Sequence, residues 1–244
     1  MIDGEEVEAK FLIDDASVAV LASLRRIGDY RLRSQADQRL RTVYLDTADR
    51  RLARAGVAFR VRYGGDRLEA SIKKGGGIEG DVHRRREVTV ALARSPRASY
   101  RPPAGRLRDE VDAVAPGARL FRTVETRVFR RRRTVRDAAG RIVAELDLDR
   151  VEFRAPGVRG SGGPEVELEI ELGDGGHGRD LERIVDALRE HVTLRPSPRS
   201  KLERALAWAD AERRRSEEAP RRRGRSSRRL GDRGGEAARS VGAR

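Results

Sequence analysis

Apolar and charged residues alternate along several short segments of the chain. In residues 6–12, EVEAKFL, the charged side chains of Glu6, Glu8 and Lys10 occupy every second position, and apolar residues fill the positions between them. Because successive side chains of a strand point to opposite faces, this period of two predicts a β-strand with one charged and one apolar face. The same pattern recurs in residues 58–63, 69–74, 85–90, 144–151 and 164–172.

Other segments carry apolar residues at a helical spacing of three to four positions. Ser200 is followed three residues later by Glu203, a capping-box pattern that places a helix start at Ser200 and makes Lys201 its first residue. A proline- and glycine-rich stretch before residue 118 is interpreted as a connection, since strand patterns resume after it. The predicted helices cover residues 17–28, 107–114, 179–192 and 200–214.

The charged faces of these strands are unusual. Glu165, Glu167, Glu169 and Glu171 share one face of a single strand, where they repel one another, and a solvated face gains nothing from that. A closed barrel explains the pattern if the charged faces point into a wet interior and the apolar faces point outward against helices. We therefore predict a mainly β (α+β) fold, a closed antiparallel β-barrel tunnel with a hydrophilic lumen and helices packed outside.

Composition narrows the chemistry of that lumen. The 244 residues carry 54 Lys and Arg against 40 Asp and Glu, a formal charge of +14, which favours anionic partners. The absence of Cys excludes disulfides, thiolate metal sites and a thiol nucleophile, and three His leave little room for a histidine-rich metal site. Neither a signal peptide nor an apolar run of membrane-spanning length is visible, so we expect a cytoplasmic protein without a membrane contact. Lysine is rare and confined to Lys10, Lys73, Lys74 and Lys201.

The end of the chain differs in composition from the rest. Residues 211–244 contain 12 Arg against five acids and few apolar residues, so they cannot bury enough surface to offset their chain entropy. We predict a folded domain over residues 1–210 and a disordered Arg-rich tail over residues 211–244. The tail is either a solvated segment or an arm that contacts polyphosphate or RNA.

The ordered series of motifs resembles the CYTH domain, the family of triphosphate tunnel metalloenzymes. EVEAKF matches the E-x-E-x-K signature that opens this domain, and the resemblance covers about residues 5–207. Further matches follow in the family's order: VYLDTADRRLARAGVAFRVR, SIKK, RREVTV, LDLD, EVELEIE and SPRSKLERAL. The resemblance implies a closed antiparallel eight-stranded β-barrel whose hydrophilic lumen binds a triphosphate together with Mg²⁺ or Mn²⁺.

The resemblance also implies roles for individual residues. Metal would be bound by carboxylates, the ligands that hard divalent ions prefer: Glu6, Glu8, Asp147 (with Asp149 as its rival), Glu167, Glu169 and, as a further candidate, Glu171. Phosphate would be bound by Lys10, Arg60, Arg62, Lys73, Arg127 and Lys201. Glu87, Lys73 and Lys201 would be the catalytic residues, with Glu87 orienting a basic residue or a water. Arg127 and Arg130 lie on opposite faces of one strand, so at most one of them points into the lumen.

Three functions fit these features. The leading hypothesis is an enzyme, a divalent-metal-dependent hydrolase of inorganic triphosphate, or of thiamine or nucleoside triphosphate. The second is a class IV-type adenylate cyclase that makes cyclic AMP from ATP in the same lumen. The third is a non-catalytic module that binds polyphosphate or nucleic acid, which the many carboxylates argue against unless they carry metals. The sequence leaves the triphosphate, the metal and the oligomeric state open.

Overall fold

A computed structural model describes residues 2–64, 67–79 and 82–223 of the chain. Its strands are β1 (Ile2–Ile13), β2 (Arg26–Ile27), β3 (Tyr30–Ser34), β4 (Gln38–Asp46), β5 (Val57–Gly64), β6 (Arg67–Lys74), β7 (Ile78–Glu79), β8 (Val82–Ala91), β9 (Ser99–Tyr100), β10 (Leu120–Arg136), β11 (Ile142–Arg154), β12 (Gly162–Leu172) and β13 (Arg195–Pro196). Its helices are α1 (Asp15–Ser23), α2 (Arg51–Arg54), α3 (Arg106–Asp112), α4 (Gly178–Arg189) and α5 (Lys201–Arg223).

Eight long strands close into an antiparallel barrel. Their order around the barrel is β11, β12, β1, β8, β6, β5, β4 and β10, and β10 pairs with β11 to complete the circle. The predicted closed eight-stranded antiparallel barrel with helices outside is therefore confirmed. β10, β11 and β1 are the longest strands. β10 extends beyond the end of β4, where it pairs with β3, and β3 in turn pairs with β2.

The apolar faces of the strands point outward and form two cores with the helices. Phe11 and Ile170 pack with Leu21 of α1 and Leu188 of α4 on one side of the barrel. On the other side, α3 covers apolar residues of β5, β6 and β8, among them Phe59, Ile72 and Val88. Burying these side chains contributes about 1.5–3 kcal/mol each, which is how the barrel can keep its charged faces inside.

Helix α5 packs differently, across one end of the barrel interior. Leu202, Ala205 and Ala209 are buried against Val128 and Phe153 in a third apolar core. Leu202 and Val128 also border the central cavity. The apolar face of α5 therefore gives the lumen an apolar floor at this end.

The helix boundaries agree only partly with the predictions. The capping box that starts α5 is present, with the Ser200 N–H donating to Glu203 at 2.7 Å and the Glu203 N–H donating to Ser200 Oγ at 3.2 Å. The first predicted helix is shorter than residues 17–28, because Arg26–Ile27 pair with β3 as strand β2.

The predicted boundary at residue 210 requires correction. Helix α5 continues to Arg223, so the prediction of disorder is wrong for residues 211–223. Ion pairs one turn apart support this extension, with Arg213 on Asp210 and Arg215 on Glu212. Residues 224–244, the remainder of the predicted tail, lie outside the described residues. None of the described helices combines the length and apolarity needed to cross a membrane.

Candidate active site

The barrel encloses a cavity of about 760 Å³ lined by both acidic and basic side chains. The pattern that predicted charged faces inside therefore describes the interior correctly. Predicted site residues that border the cavity are Glu6, Glu8, Lys10, Arg60, Arg62, Lys73, Glu87, Glu169 and Lys201.

Three guanidinium groups share one part of the cavity wall. Arg60 is held by Ser71 Oγ at 2.8 Å and by Glu87 at 2.8 Å. Arg62 follows two residues later on the same face of β5, and its Nε is buried without a hydrogen-bond partner among the described residues. The positive charge of Arg60, together with burial and Arg130, lowers the pKa of Arg62 to about 10. A buried cation in this state favours binding of an anion.

Arg130 is the third member of this group and is tied to the acidic wall. Its guanidinium donates to both oxygens of Asp149, at 2.7 and 2.6 Å, and to Glu169 at 2.8 Å. These carboxylates, despite the opposing effect of burial, raise the pKa of Arg130 well above its ordinary value. Arg130 therefore stays charged where the basic and acidic walls meet.

Arg127, predicted to bind phosphate, does not lie in the lumen. It is exposed on the outer face of β10 and its Nε donates to Glu125 at 3.0 Å. The prediction for Arg127 is wrong because side chains alternate along a strand, and Val128, Arg130 and Arg132 occupy the inward face. Arg130 takes the position that was assigned to Arg127.

Three of the four lysines pair with carboxylates of the lumen. Lys10 lies 2.9 Å from Glu8 and 2.9 Å from Glu169. Burial by itself lowers the pKa of Lys10, but Glu169 and Glu8 outweigh it and raise that pKa above its ordinary value. Lys73 contacts Glu6, and it lies 3.1 Å from Glu87.

Lys201 enters the lumen from the first turn of α5. It lies 3.0 Å from Asp149 and 2.9 Å from Glu169, and it also contacts Glu167. Those carboxylates raise the pKa of Lys201 in spite of its burial. Because the capping box fixes the start of α5, the ammonium group is held in one place.

Glu87 serves two cations of the wall at once. It accepts hydrogen bonds from Arg60 at 2.8 Å and from Thr89 at 3.1 Å, and it pairs with Lys73. Although burial opposes it, the charges of Arg60 and Lys73 lower the pKa of Glu87 far below its ordinary value. Glu87 is therefore a charged carboxylate that contacts and positions Arg60 and Lys73.

The acidic wall contains carboxylates without enough cations. Glu8 on β1 lies directly opposite Glu171 on β12, and like charges in this arrangement repel each other. Burial and the charges of Glu6 and Glu8 raise the pKa of Glu171 to about 7. A divalent cation would relieve this repulsion, and carboxylate oxygens are the ligands that Mg²⁺ and Mn²⁺ prefer. The donor set thus fits such an ion, although no three carboxylates of the described residues converge on a ready-made metal site.

Two predicted metal ligands are covered by the cations that pair with them. Asp147 pairs with Arg132 through two hydrogen bonds of 2.8 Å, and Glu167 is fully buried against Lys201 and Arg204. Neither borders the cavity among its lining residues. The cavity wall instead includes Asp149, the rival of Asp147, and Glu171.

Arg132, Glu145 and Arg204 belong to the site and were not predicted. Arg132 follows Arg130 on the same face, and it lies 2.7 Å from Glu145, so strand alternation could have found both. Arg204 contacts Glu167 and donates to Glu165 at 2.8 Å and to Ser197 Oγ at 2.8 Å. Only its position one helical turn after Lys201 could have indicated this role.

A comparison with known protein families gives a match that extends over the barrel. The model of the CYTH domain matches residues 4–206. The chain belongs to the CYTH family. This CYTH domain includes all strands of the barrel and the first turn of α5, and no curated protein matches it.

Solved structures share the fold at low sequence identity. A candidate adenylate cyclase from Bacillus halodurans superposes with a TM-score of 0.59 at 20% identity, covering 84% of this chain and 98% of that one. HpAC1 from Hippeastrum superposes with a TM-score of 0.58 at 16% identity, covering 83% and 95%. The PH1819 protein from Pyrococcus horikoshii gives 0.54 at 16% identity, covering 83% and 98%. At these identities the similarity concerns the fold.

Proposed function

We propose that this CYTH domain hydrolyses the terminal phosphoryl group of a triphosphate, with inorganic triphosphate as the first candidate substrate. The observation that carries the proposal is the group of Arg60, Arg62 and Arg130, in which the buried Nε of Arg62 has no hydrogen-bond partner in residues 2–64, 67–79 and 82–223. A phosphate chain would supply an anionic oxygen for the Nε of Arg62, and Arg binds phosphate oxygens through its planar fork of donors. The solved structure of HpAC1 is described as revealing a dominant triphosphatase activity, which supports this reaction.

The chain's own residues account for binding and orientation. Arg60, Arg62 and Lys73 would bind successive phosphoryl oxygens, while Glu87 holds two of these cations in place. Lys201, fixed at the start of α5, would hold the phosphoryl group that is transferred. Positioning and charge neutralisation are the main requirements of phosphoryl transfer, with water as the nucleophile.

The proposed reaction also requires a divalent cation, Mg²⁺ or Mn²⁺. Glu6, Glu8 and Glu171, with Asp149 and Glu169 beside them, are the residues that would hold the ion. When bound, the ion would neutralise charge on the phosphoryl oxygens and lower the pKa of the attacking water. Lys10 and Lys73 now occupy parts of this acidic wall, so their ammonium groups would shift toward the phosphate chain.

The apolar floor formed by α5 favours a second candidate function. Leu40, Tyr44, Val128, Leu202 and Leu206 border the same cavity as the arginines, and such a surface can accept an organic group next to a triphosphate. An adenylate cyclase that acts on ATP is therefore the alternative. A non-catalytic module is less well supported, because the acidic wall weakens binding of a polyanion in the absence of a metal.

One experiment separates these functions. The purified chain is incubated with inorganic triphosphate, ATP or thiamine triphosphate, with Mg²⁺, Mn²⁺ or excess chelator, and the products are identified. We expect phosphate and diphosphate from inorganic triphosphate only in the presence of metal. Cyclic AMP as the main product would replace the proposal by the cyclase, and turnover in excess chelator would refute the role of the metal. A Glu8→Gln variant serves as the control for contaminating phosphatases, because it removes a metal ligand candidate from the wet interior.

A further inference from the structure

A second cavity of about 490 Å³ lies outside the barrel and is strongly basic. It is lined by Arg31, Arg33 and Arg136, together with Ser34, Gln35 and Gly140. Arg136 donates to the Gly140 carbonyl at 2.7 Å. Arg31 and Arg33 are exposed, and neither forms an ion pair with a described residue. No acidic or aromatic side chain is among the residues that line this cavity.

The strand register connects this cavity to the lumen. β3 pairs with the end of β10 that extends beyond β4, so that Arg33 lies opposite Thr134 and Arg31 opposite Arg136. Leu32 and Val135 point to the other face, where they are buried in the core with α1 and α4. The arginines therefore lie on the face that, nearer the barrel, forms the wall of the lumen.

The same face of β10 carries Arg130 and Arg132, which border the central cavity. Arg130, Arg132, Arg33, Arg31 and Arg136 thus form one arginine row from the lumen to the outer cavity. Arg130 and Arg136 are six residues apart on β10, or about 20 Å at the rise of a strand. Three phosphoryl groups bound at Arg60, Arg62 and Arg130 do not extend that far.

We propose that the outer cavity binds the distal part of a linear polyphosphate whose terminal phosphates occupy the lumen. The proposal rests on the function proposed above and names a longer substrate class for the same site. Arg130 and Arg132 already have carboxylate partners, whereas Arg31 and Arg33 form no ion pair with a described residue and repel each other. The distal phosphates of a chain that leaves the lumen would neutralise these two guanidinium groups. A single-stranded nucleic acid also carries phosphates, but its bases require aromatic stacking surfaces, which the lining of this cavity does not offer.

A binding experiment on the full chain tests the proposal without relying on turnover. Affinities for triphosphate, for a linear polyphosphate long enough to span about 20 Å, and for a single-stranded oligonucleotide of matched charge are measured by calorimetry in excess chelator. The variant is Arg31→Gln/Arg33→Gln. The matched control is Arg39→Gln/Arg131→Gln, which removes the same charge from exposed residues that stack on Phe129, on the outer face of the barrel.

We expect the variant to bind the long polyphosphate about tenfold more weakly than wild type, as two lost charge-assisted contacts predict, and the control to change less than about twofold. The ratio of polyphosphate to triphosphate affinity should fall only in the variant. Equal losses in variant and control would overturn the proposal, since they would indicate unspecific attraction. A greater loss of oligonucleotide than of polyphosphate binding would overturn it in favour of nucleic acid. Thermal unfolding confirms that both double variants are folded, and failure of the hydrolysis assay alone would affect only the proposed reaction.

Discussion

Replacing Arg62 with Gln is expected to stabilise the protein and to inactivate it. Arg60, burial and Arg130 lower the pKa of Arg62 by roughly 2.5, from its ordinary value to about 10. At 1.36 kcal/mol per pKa unit, keeping Arg62 charged costs the folded state at most about 3 kcal/mol. Both pKa values lie above 7, so this cost is fully present at neutral pH, and it disappears only as the pH rises from about 10 to the ordinary pKa of arginine.

Part of that cost remains in the variant, because Gln is still a buried polar group and loses the packing of the Arg stem. We therefore expect a net gain of about 1–2 kcal/mol, or an increase in Tm of about 3–6 °C for a domain of this size. Arg60→Gln is the matched comparison on the same face of β5. It removes the partner of Ser71 and leaves Glu87 with fewer cations, which should cost about 2–4 kcal/mol.

The two variants should differ in stability and agree in activity. Each loses a buried cationic contact with phosphate, so kcat/KM for triphosphate should fall at least about 30-fold in both. The assay pairs thermal unfolding at pH 7 in chelator with phosphate release in the presence of Mg²⁺ or Mn²⁺. If Arg62→Gln lowers Tm as much as Arg60→Gln, the inference that Arg62 lacks a partner is wrong. Near wild-type kcat/KM in Arg62→Gln would refute its role in the anion site.

Three further predictions concern other parts of the lumen. Lys73→Arg and Lys201→Arg should each lower kcat/KM roughly a hundredfold, because a wider guanidinium displaces the phosphate among fixed carboxylates; wild-type rates in both would show that these sites supply only charge. Arg130→Gln should abolish turnover, whereas Arg127→Gln on the outer face should change the steady-state rate by less than about twofold. Equal steady-state rates in the two variants would refute the assigned strand register. The pKa of Glu171 is raised from 4.5 to about 7, so the metal-free protein should lose stability as the pH rises from about 4.5 to 7, and denaturant titrations at several pH values should show a weaker dependence in Glu171→Gln.

The residue pattern alone determined the class of fold. Alternation of charge and apolar side chains, as in Glu6, Glu8 and Lys10 against Phe11, is a local property of a strand, and it required a charged interior that only a closed barrel provides. The capping box at Ser200 and Glu203 is also local, which is why the start of α5 was predictable to the residue. Three of the four scarce lysines, Lys10, Lys73 and Lys201, were assigned to phosphate by the resemblance, and all three contact carboxylates of the lumen.

The tertiary structure decided everything that depends on strand register. Arg127 and Arg130 are equally suited to bind phosphate, and only the pairing of β10 with β4 and β11 places Arg130 inside. A carboxylate's role likewise depends on which cation lies nearby. Glu167 is enclosed by Lys201 and Arg204, whereas Glu171 lies opposite Glu8 and forms no ion pair within the part of the chain that the structure describes. Such neighbours come from distant parts of the chain, so their spacing in the sequence does not indicate that they are in contact. The sequence did not predict that α5 continues to Arg223. Composition indicates whether a segment can bury apolar surface. It does not indicate whether a helix that begins in the folded domain extends beyond it.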